Sequence, residues 1–214
     1  MPQAALADPT RTKLLEAAGQ VFAAQGFHSA TVREICSRAG ANVAAVNYYF
    51  GDKVELYEEV LRQAVSSVHD AALHEALNDM EPQQALRRMI RHLAGKLCSA
   101  NRASWTMRMM AHEMAKPTPA FARVVDEIIA PTSNMLRRFI GRLLDLPPDH
   151  EKTRLCSYSV MGQILHYAYA GPVIQRLWPE FKITEETIDH IADHIADFSL
   201  AYLTSQRTSR RKSS

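Results

Sequence analysis

No run of 18 apolar residues exists in this chain of 214, and no basic-then-apolar leader opens it. That argues against a membrane-spanning helix and a secretory signal, so the expectation is a soluble, cytoplasmic protein. Cysteine is scarce: Cys36, Cys98 and Cys156 stand far apart without a C-x-x-C pair. A disulfide framework and thiolate metal motifs are thereby set aside, and the three thiols read as small buried hydrophobes in a reducing compartment. Charge of one sign is also lacking, with 25 Lys and Arg against 23 Asp and Glu and a net +2. The chain has no G-x-S-x-G, Walker or dinucleotide glycine motif, and no Glu-x-x-His of the di-iron bundles. His74-Glu75 and His112-Glu113 lack the second His of H-E-x-x-H. Catalysis has no constellation to work with, so the chain is not read as an enzyme and no cofactor is assigned.

Strand-like alternation persists nowhere, whereas apolar residues recur at three-and-four spacing along most of the chain. The fold class is therefore all-α. Asp8-Pro9 reads as an N-cap followed by proline at the first helical position. Leu14, Ala18, Val21 and Phe22 then mark a helix up to Gly26, and Phe27 plugs a small core. Thr31 and Glu34 form a T-x-x-E capping box for a helix burying Val32, Ile35 and Ala39, which ends at Gly40. Asn42 caps a second short helix, Val43 to Phe50, anchored by Val46 and Phe50. Gly51 ends it, and Asp52 with Glu55 caps the next helix. Two helices joined by a tight glycine turn make a helix-turn-helix, whose second helix enters the DNA major groove.

This stretch, LLEAAGQVFAAQGFHSATVREICSRAGANVAAVNYYFGDKVELY from Leu14 to Tyr57, resembles the TetR-type transcriptional repressors. It covers about a fifth of the chain. The specific features are the order helix, G-F, T-x-x-E-I, A-G, Y-Y-F and K. The resemblance implies that Ala45, Asn47, Tyr48 and Tyr49 meet bases and adjacent phosphates, with Val43 and Ala44 near the helix start also facing the groove. Ala and Val side chains suit a thymine methyl, Asn suits adenine or phosphate, and Tyr hydroxyls suit phosphate. Thr31 and its helix N-terminus, Asn42, Arg33 and Lys53 complete the DNA-binding set, and Arg11 or Lys13 extend it to the backbone. The chain departs from the commoner pattern at Asn47, where an aromatic is frequent, and at Val43-Ala44, where a polar pair is frequent.

Charge does not advertise DNA binding. Residues 1–57 carry Arg11, Lys13, Arg33, Arg38 and Lys53 against Asp8, Glu16, Glu34, Asp52 and Glu55, which sums to zero. The tail residues Arg207, Arg210, Arg211 and Lys212 add four positive charges, so the chain before residue 207 is net −2. Binding must rest on where charges sit rather than on their sum.

The expected organisation is a mobile arm at 1–8, a helix-turn-helix domain at 9–51, a helical effector-binding and dimerisation domain at 52–204, and a basic disordered tail at 205–214. One long helix over 52–78 joins the three-helix head to the larger domain. Prolines punctuate helices near 82–100, 102–116, 119–129, 131–145 and 150–171, and Thr184 caps a last helix to about 204. The stretch RASWTMRMMAHEMAK places Trp105, Met107, Met109, Met110 and Met114 in a soft, polarisable cluster. Phe121, Met135, Phe139, Met161, His166 and Tyr169 are candidates to complete an apolar cavity, with His112 and Arg108 as its polar minority. An ordinary methionine-rich core is the alternative; a ligand pocket is what the resemblance implies.

On 184–204, Ile188, Ile191, Ile195, Phe198 and Tyr202 form a seam for another helix. On 150–171, Ser159, Gly162, Ala168, Ala170 and Gly171 allow close helix approach. The resemblance implies a four-helix dimer interface from these two helices. Glu186, His190, Asp193 and His194 share one face of the last helix with metal-ligand spacing, but that face reads as solvated and no metal is assigned. The reading is a sequence-specific DNA-binding transcriptional regulator, a homodimeric repressor released from a palindromic double-stranded operator by a small apolar or amphipathic effector. Ligand would shift the linker helix and with it the reading heads. The alternative is a helical small-molecule- or metal-binding protein whose N-terminal bundle no longer reads DNA.

Overall fold

The computed structural model describes residues 8–66, 70–99 and 104–212, with the side chains of Ser104 and of residues 207–212 outside that description. Those residues are mostly helical, without a strand among them, and they gather into two compact units.

The first unit holds residues 8–66 with 104–128. Its helices are α1 (Pro9–Ser29), α2 (Val32–Ala39), α3 (Val43–Phe50) and α4 (Lys53–Ser66), then α7 (Ser104–Ala115) and α8 (Pro119–Val124). Local chemistry sets the boundaries. Asp8 Oδ1 accepts from the Thr10 N–H at 2.8 Å, which caps α1 beside Pro9. Gly26, at φ 74°, breaks α1 into a kink that only glycine enters without strain. Thr31 Oγ1 accepts from the Glu34 N–H at 3.2 Å. The reciprocal half of the expected capping box is replaced, because Glu34 Oε1 accepts from Gln25 Nε2 at 2.7 Å and ties α2 to α1. Gly40 closes α2 in the left-handed region, Asn42 Oδ1 caps α3 through the Ala45 N–H at 2.9 Å, and Asp52 Oδ1 caps α4 through the Val54 and Glu55 N–H groups.

Leu14, Ala18, Val21, Phe22, Ile35, Val46, Leu56 and Tyr57 are buried in this unit. Phe22 meets Tyr57 edge-on at 4.7 Å, and Phe27 lies 4.9 Å from the same ring. Helices α7 and α8 pack onto α1 and α4. Trp105 lies flat against Gly19, where a Cβ would sit 2.8 Å from the indole carbons. A larger residue at position 19 would force the Trp105 ring to shift.

The second unit holds residues 70–99 and 129–212. It contains α5 (Ala71–Asn78), α6 (Pro82–Cys98), α9 (Ala130–Leu144), α10 (Glu151–Tyr169), α11 (Gly171–Leu177) and α12 (Glu185–Lys212). Its core is built from Leu86, Met89, Ile90 and Leu93 of α6 against Leu136, Phe139 and Ile140 of α9, Val160 and Ile164 of α10, and Ile191 and Ile195 of α12. Arg87–Asp197 and Arg91–Asp193, each 2.6 Å, stitch the solvent edges of α6 and α12.

Several expectations are corrected. The helix over 52–78 is not continuous: Asp70 is extended (φ −126°, ψ 99°), and its carboxylate caps a new helix through the Leu73 N–H at 3.0 Å. Residues 67–69 lie outside the described part. Helix α11 was not anticipated. The last helix runs on to Lys212 instead of ending at 204, since Gln, Arg and Lys extend a running helix readily and nothing from Ser205 to Lys212 breaks one. Pro131 has no N–H to give, and the backbone ahead of it loosens into a π-helical turn, Val125–Ile129, before α9. The α12 seam also divides: Ile188, Ile191 and Ile195 face the unit's own core, while Phe198 and Tyr202 face outward.

Among the described residues, no helix is long and apolar enough to cross a membrane.

Candidate nucleic-acid interface

Helix α3 has a buried side and an open side. Val46 and Phe50 go into the core of the first unit, and Ala45 and Tyr49 are half-buried beside them. Val43, Ala44, Asn47 and Tyr48 form one contiguous outward stripe, with Asn42 at its head. Tyr48 is 82% exposed, the most open large hydrophobic side chain among the described residues. Its ring meets Tyr49 edge-on at 4.9 Å. Thr31 and Arg33 on α2 are exposed on the neighbouring helix.

Tyr49 is placed differently from its proposed role at phosphate. Its hydroxyl donates to Asp8 Oδ2 at 2.5 Å, so α3 is latched to the start of α1. The same bond holds the Asp8 carboxyl below the usual carboxylate range, helped by the Thr10 N–H, and pushes the Tyr49 phenol up. Arg11 is engaged as well: Nη2 lies 2.6 Å from Glu59 Oε1, and the guanidinium sits 5.3 Å above the Phe50 ring. Arg38 donates to Gln20. Lys53 lies 4.6 Å over the Phe27 ring, and burial depresses its pKa; its ammonium is held at the head of α4 by a cation–π contact. Lys13 and Arg33 remain as exposed cations. The surface can therefore meet a polyanion with few positive charges at fixed positions plus the N–H groups of two capped helix starts.

A buried polar cluster behind this surface escaped the sequence reading. Glu113 of α7 is 1% exposed. Its carboxylate accepts from the Tyr57 hydroxyl of α4, from the Thr118 N–H at 2.8 Å and from the Thr118 hydroxyl at 3.0 Å. Burial and the Glu113 hydrogen bond push the Tyr57 phenol far above its ordinary value, so it stays a donor across the working pH range. On the flank, Glu58 of α4 pairs with Arg62 at 2.8 Å and with Arg123 of α8, and Arg62 also pairs with Glu127. Helix α4, which follows directly from the reading helix, is thus bound to α7 and α8 by groups 56 residues or more apart in sequence at its centre.

The residues nominated for ligand binding divide between the units. In the first unit Met109, Met110 and Phe121 are buried, Trp105 packs on α1, and His112 Nε2 lies 3.2 Å from the Ala23 carbonyl. Met114 and Arg108 are exposed. In the second unit Met135 and Phe139 belong to the core, Met161 leans on it, and His166 and Tyr169 are open to solvent. Each unit packs its share into its own interior or surface. A groove of about 200 Å³ does exist between α10 and α12, lined by Cys156, Ser159, Gln163, Phe198, Ser199 and Tyr202, and none of the nominated residues lines it. Elsewhere on α10 Leu155 and Tyr158 are exposed, and a Cβ at Gly162 would meet open space.

On the polar side of α12, Asp193 is paired with Arg91 and Arg87. Among the described residues no group of three or more His, Cys, Asp or Glu side chains is placed to hold a metal ion.

Comparison with known proteins matches residues 14–60 to the family described as bacterial regulatory proteins, tetR family. Residues 82–203, more than half of the chain, match the C-terminal domain of the HTH-type transcriptional dual regulator CecR. CecR of Shigella flexneri is 26% identical over 170 residues, covering 75% of this chain and 76% of that protein. The repressor NicS of Pseudomonas putida is 36% identical over 84 residues, 39% of this chain, and the match spans only 40% of its length. Among solved structures, FadR of Bacillus subtilis in complex with stearoyl-CoA shares the fold with a TM-score of 0.63 at 13% identity, covering 88% of this chain and 97% of that one.

Proposed function

The chain belongs to the TetR family of bacterial regulatory proteins, with a CecR-type C-terminal domain, and is a DNA-binding transcriptional regulator; from that premise we propose that it acts as a homodimeric repressor of a palindromic operator, released by a small amphipathic effector. The observation that carries the reading is the outward stripe of α3, fixed from behind by Val46 and Phe50 and flanked by the capped start of α2. Such a helix offers its first turns to the major groove while its neighbour grips the backbone.

Self-association is supported by the face of α10 and α12. Leu155, Tyr158, Phe198 and Tyr202 are large and exposed on these two helices, Phe198 and Tyr202 line the groove, and Gly162 is unobstructed. Apolar side chains gathered in this way mark contact sites. Two helices from each subunit would close into a four-helix interface, setting two reading helices ~34 Å or a multiple of that apart.

The effector class rests on two supports. The helices after α4 are rich in methionine and apolar residues, and FadR, which shares the fold, holds stearoyl-CoA. Regulation needs an effect on α4. The Tyr57–Glu113–Thr118 cluster and the Glu58–Arg123 pair supply it, because a displacement of α7 or α8 pulls on the helix that continues from α3. Such coupling is typically worth about 5–150-fold in affinity, and DNA must weaken the effector by the same factor.

Anisotropy of a labelled duplex selected by the protein tests the reading. Tyr48→Ala and Arg33→Ala are each expected to weaken binding by about tenfold while leaving the helical spectrum unchanged. Stearoyl-CoA is the first effector probe, expected to release the duplex. Wild-type affinity in both variants would remove α2 and α3 from the interface and overturn the reading.

A further inference from the structure

Building on the DNA-reading role of α3, we infer that this helix recognises thymine C5-methyl groups through Val43 and Ala44, so that its operator is distinguished by 5-methylpyrimidines under the start of the helix. The argument begins with which polar groups remain available. Asn42 Oδ1 is engaged by the Ala45 N–H, which leaves its amide NH2 as a donor at the cap ahead of the helix, and the Tyr49 hydroxyl is engaged by Asp8. Helix α3 carries no Arg or Lys, so it cannot make the bidentate contact to guanine O6 and N7 that such helices most often use. Its polar readers are the Asn47 amide and the Tyr48 hydroxyl, and both sit in the second turn.

The first turn, which enters the groove ahead of the rest, presents Val43, 46% exposed, and the exposed methyl of Ala44. Among the donors and acceptors that line the major groove, the thymine methyl is the one sizeable apolar group, where cytosine has only a C5–H. An aliphatic side chain over a polar edge strips it of water and offers nothing in return. Over a methyl it removes apolar surface from water on both partners. The isopropyl of Val43 and the methyl of Ala44 are exposed next to each other at the start of the helix, with Val46 behind them buried in the core. Thymine is the base that this surface favours, and 5-methylcytosine carries the same group.

The test replaces thymines one at a time by deoxyuridine in the duplex that the full-length chain selects from a random pool. Each substitution removes one methyl and leaves every hydrogen-bonding edge intact. Burial of a methyl-sized group corresponds to about fourfold in affinity, and symmetric substitution in two half-sites to about 15-fold. One or two thymines per half-site are expected to show this loss and the others none. In Val43→Ala, an exposed position where the change leaves folding intact, the loss at the matching thymine should shrink. Placing 5-methylcytosine against guanine at that position should bind more tightly than cytosine. A fully deoxyuridine-substituted duplex bound as tightly as its parent would overturn the inference and leave the regulator reading standing. Failure to select any duplex would overturn both.

Discussion

Tyr57→Phe removes a single oxygen from the joint between α4 and α7, and the structure allows its consequence to be sized. The ring is 1% exposed, and its edge contacts with Phe22 at 4.7 Å and Phe27 at 4.9 Å depend on carbon atoms that phenylalanine retains. Packing is therefore preserved, and the change isolates one hydrogen bond. That bond ends on a buried carboxylate, whose remaining partners are the Thr118 N–H and hydroxyl. Bonds of this kind contribute about 1.5–3 kcal/mol. For a chain of this length that corresponds to about 3–12 °C in Tm. Thermal unfolding followed by circular dichroism measures the global shift, and in a Trp178→Phe background Trp105 fluorescence reports the first unit, where the indole rests on Gly19. Tyr48→Phe, on an 82% exposed ring, is the matched control and should stay within about 0.5 kcal/mol of the parent. The double variant Tyr57→Phe with Thr118→Val should be non-additive, since both donors serve one carboxylate. A Tyr57→Phe protein with unchanged Tm would refute the claim that this cluster holds α4 to α7.

The Asp8–Tyr49 latch has a pH window. The Asp8 carboxyl titrates below its ordinary 3.8, so its stabilising effect is complete above that value and is lost only as acid takes the pH through the lowered pKa. The Tyr49 phenol titrates above its ordinary 10.0, so its contribution persists below pH 10 and disappears as the pH rises through the raised value. Absorbance titration of the chain against Tyr49→Phe should reveal that late phenol, and Asp8→Asn should bring it back towards 10; an ordinary titration in the parent counts against the latch. Burial raises the pKa of the Cys36 and Cys156 thiols, so both are expected to alkylate slowly at neutral pH and rapidly only after denaturation. Fast labelling of the native chain at either position would contradict their placement. Phe198→Asp, on a side chain 64% exposed beside the α10–α12 groove, is expected to yield monomers in sedimentation analysis with the helical content intact. A dimer of unchanged stability would move the interface elsewhere.

Much of the DNA-facing unit was legible in the sequence because its punctuation is local. Asp8-Pro9, Thr31, Gly40, Asn42 and Asp52 cap or end helices within a few residues of themselves, and each does so in the fold. Asp70 carried the same kind of signal, and reading it as an N-cap would have divided the helix drawn over 52–78. The isoleucine spacing on α12 announced an apolar stripe but not what covers it: 188, 191 and 195 turned out to pack within the unit, leaving Phe198 and Tyr202 for the outside. Side-chain contacts across long separations were invisible. Nothing near Arg11 points to Glu59, nothing near Tyr57 points to Glu113, and the Tyr49 hydroxyl meets Asp8 across 41 residues. Those contacts decide which charges and hydroxyls remain for DNA, which is why the reading helix could be located from sequence more readily than its free polar groups could be listed.

Selection of duplexes from a random pool by the full-length chain, followed by sequencing, tests the central claim most directly. The account predicts an enriched two-fold symmetric site whose half-sites lie one helical turn or a multiple apart, with thymines under the start of α3 and that site bound about tenfold more weakly by Tyr48→Ala. A pool that stays random, or a single asymmetric half-site bound equally well by Tyr48→Ala, would contradict it.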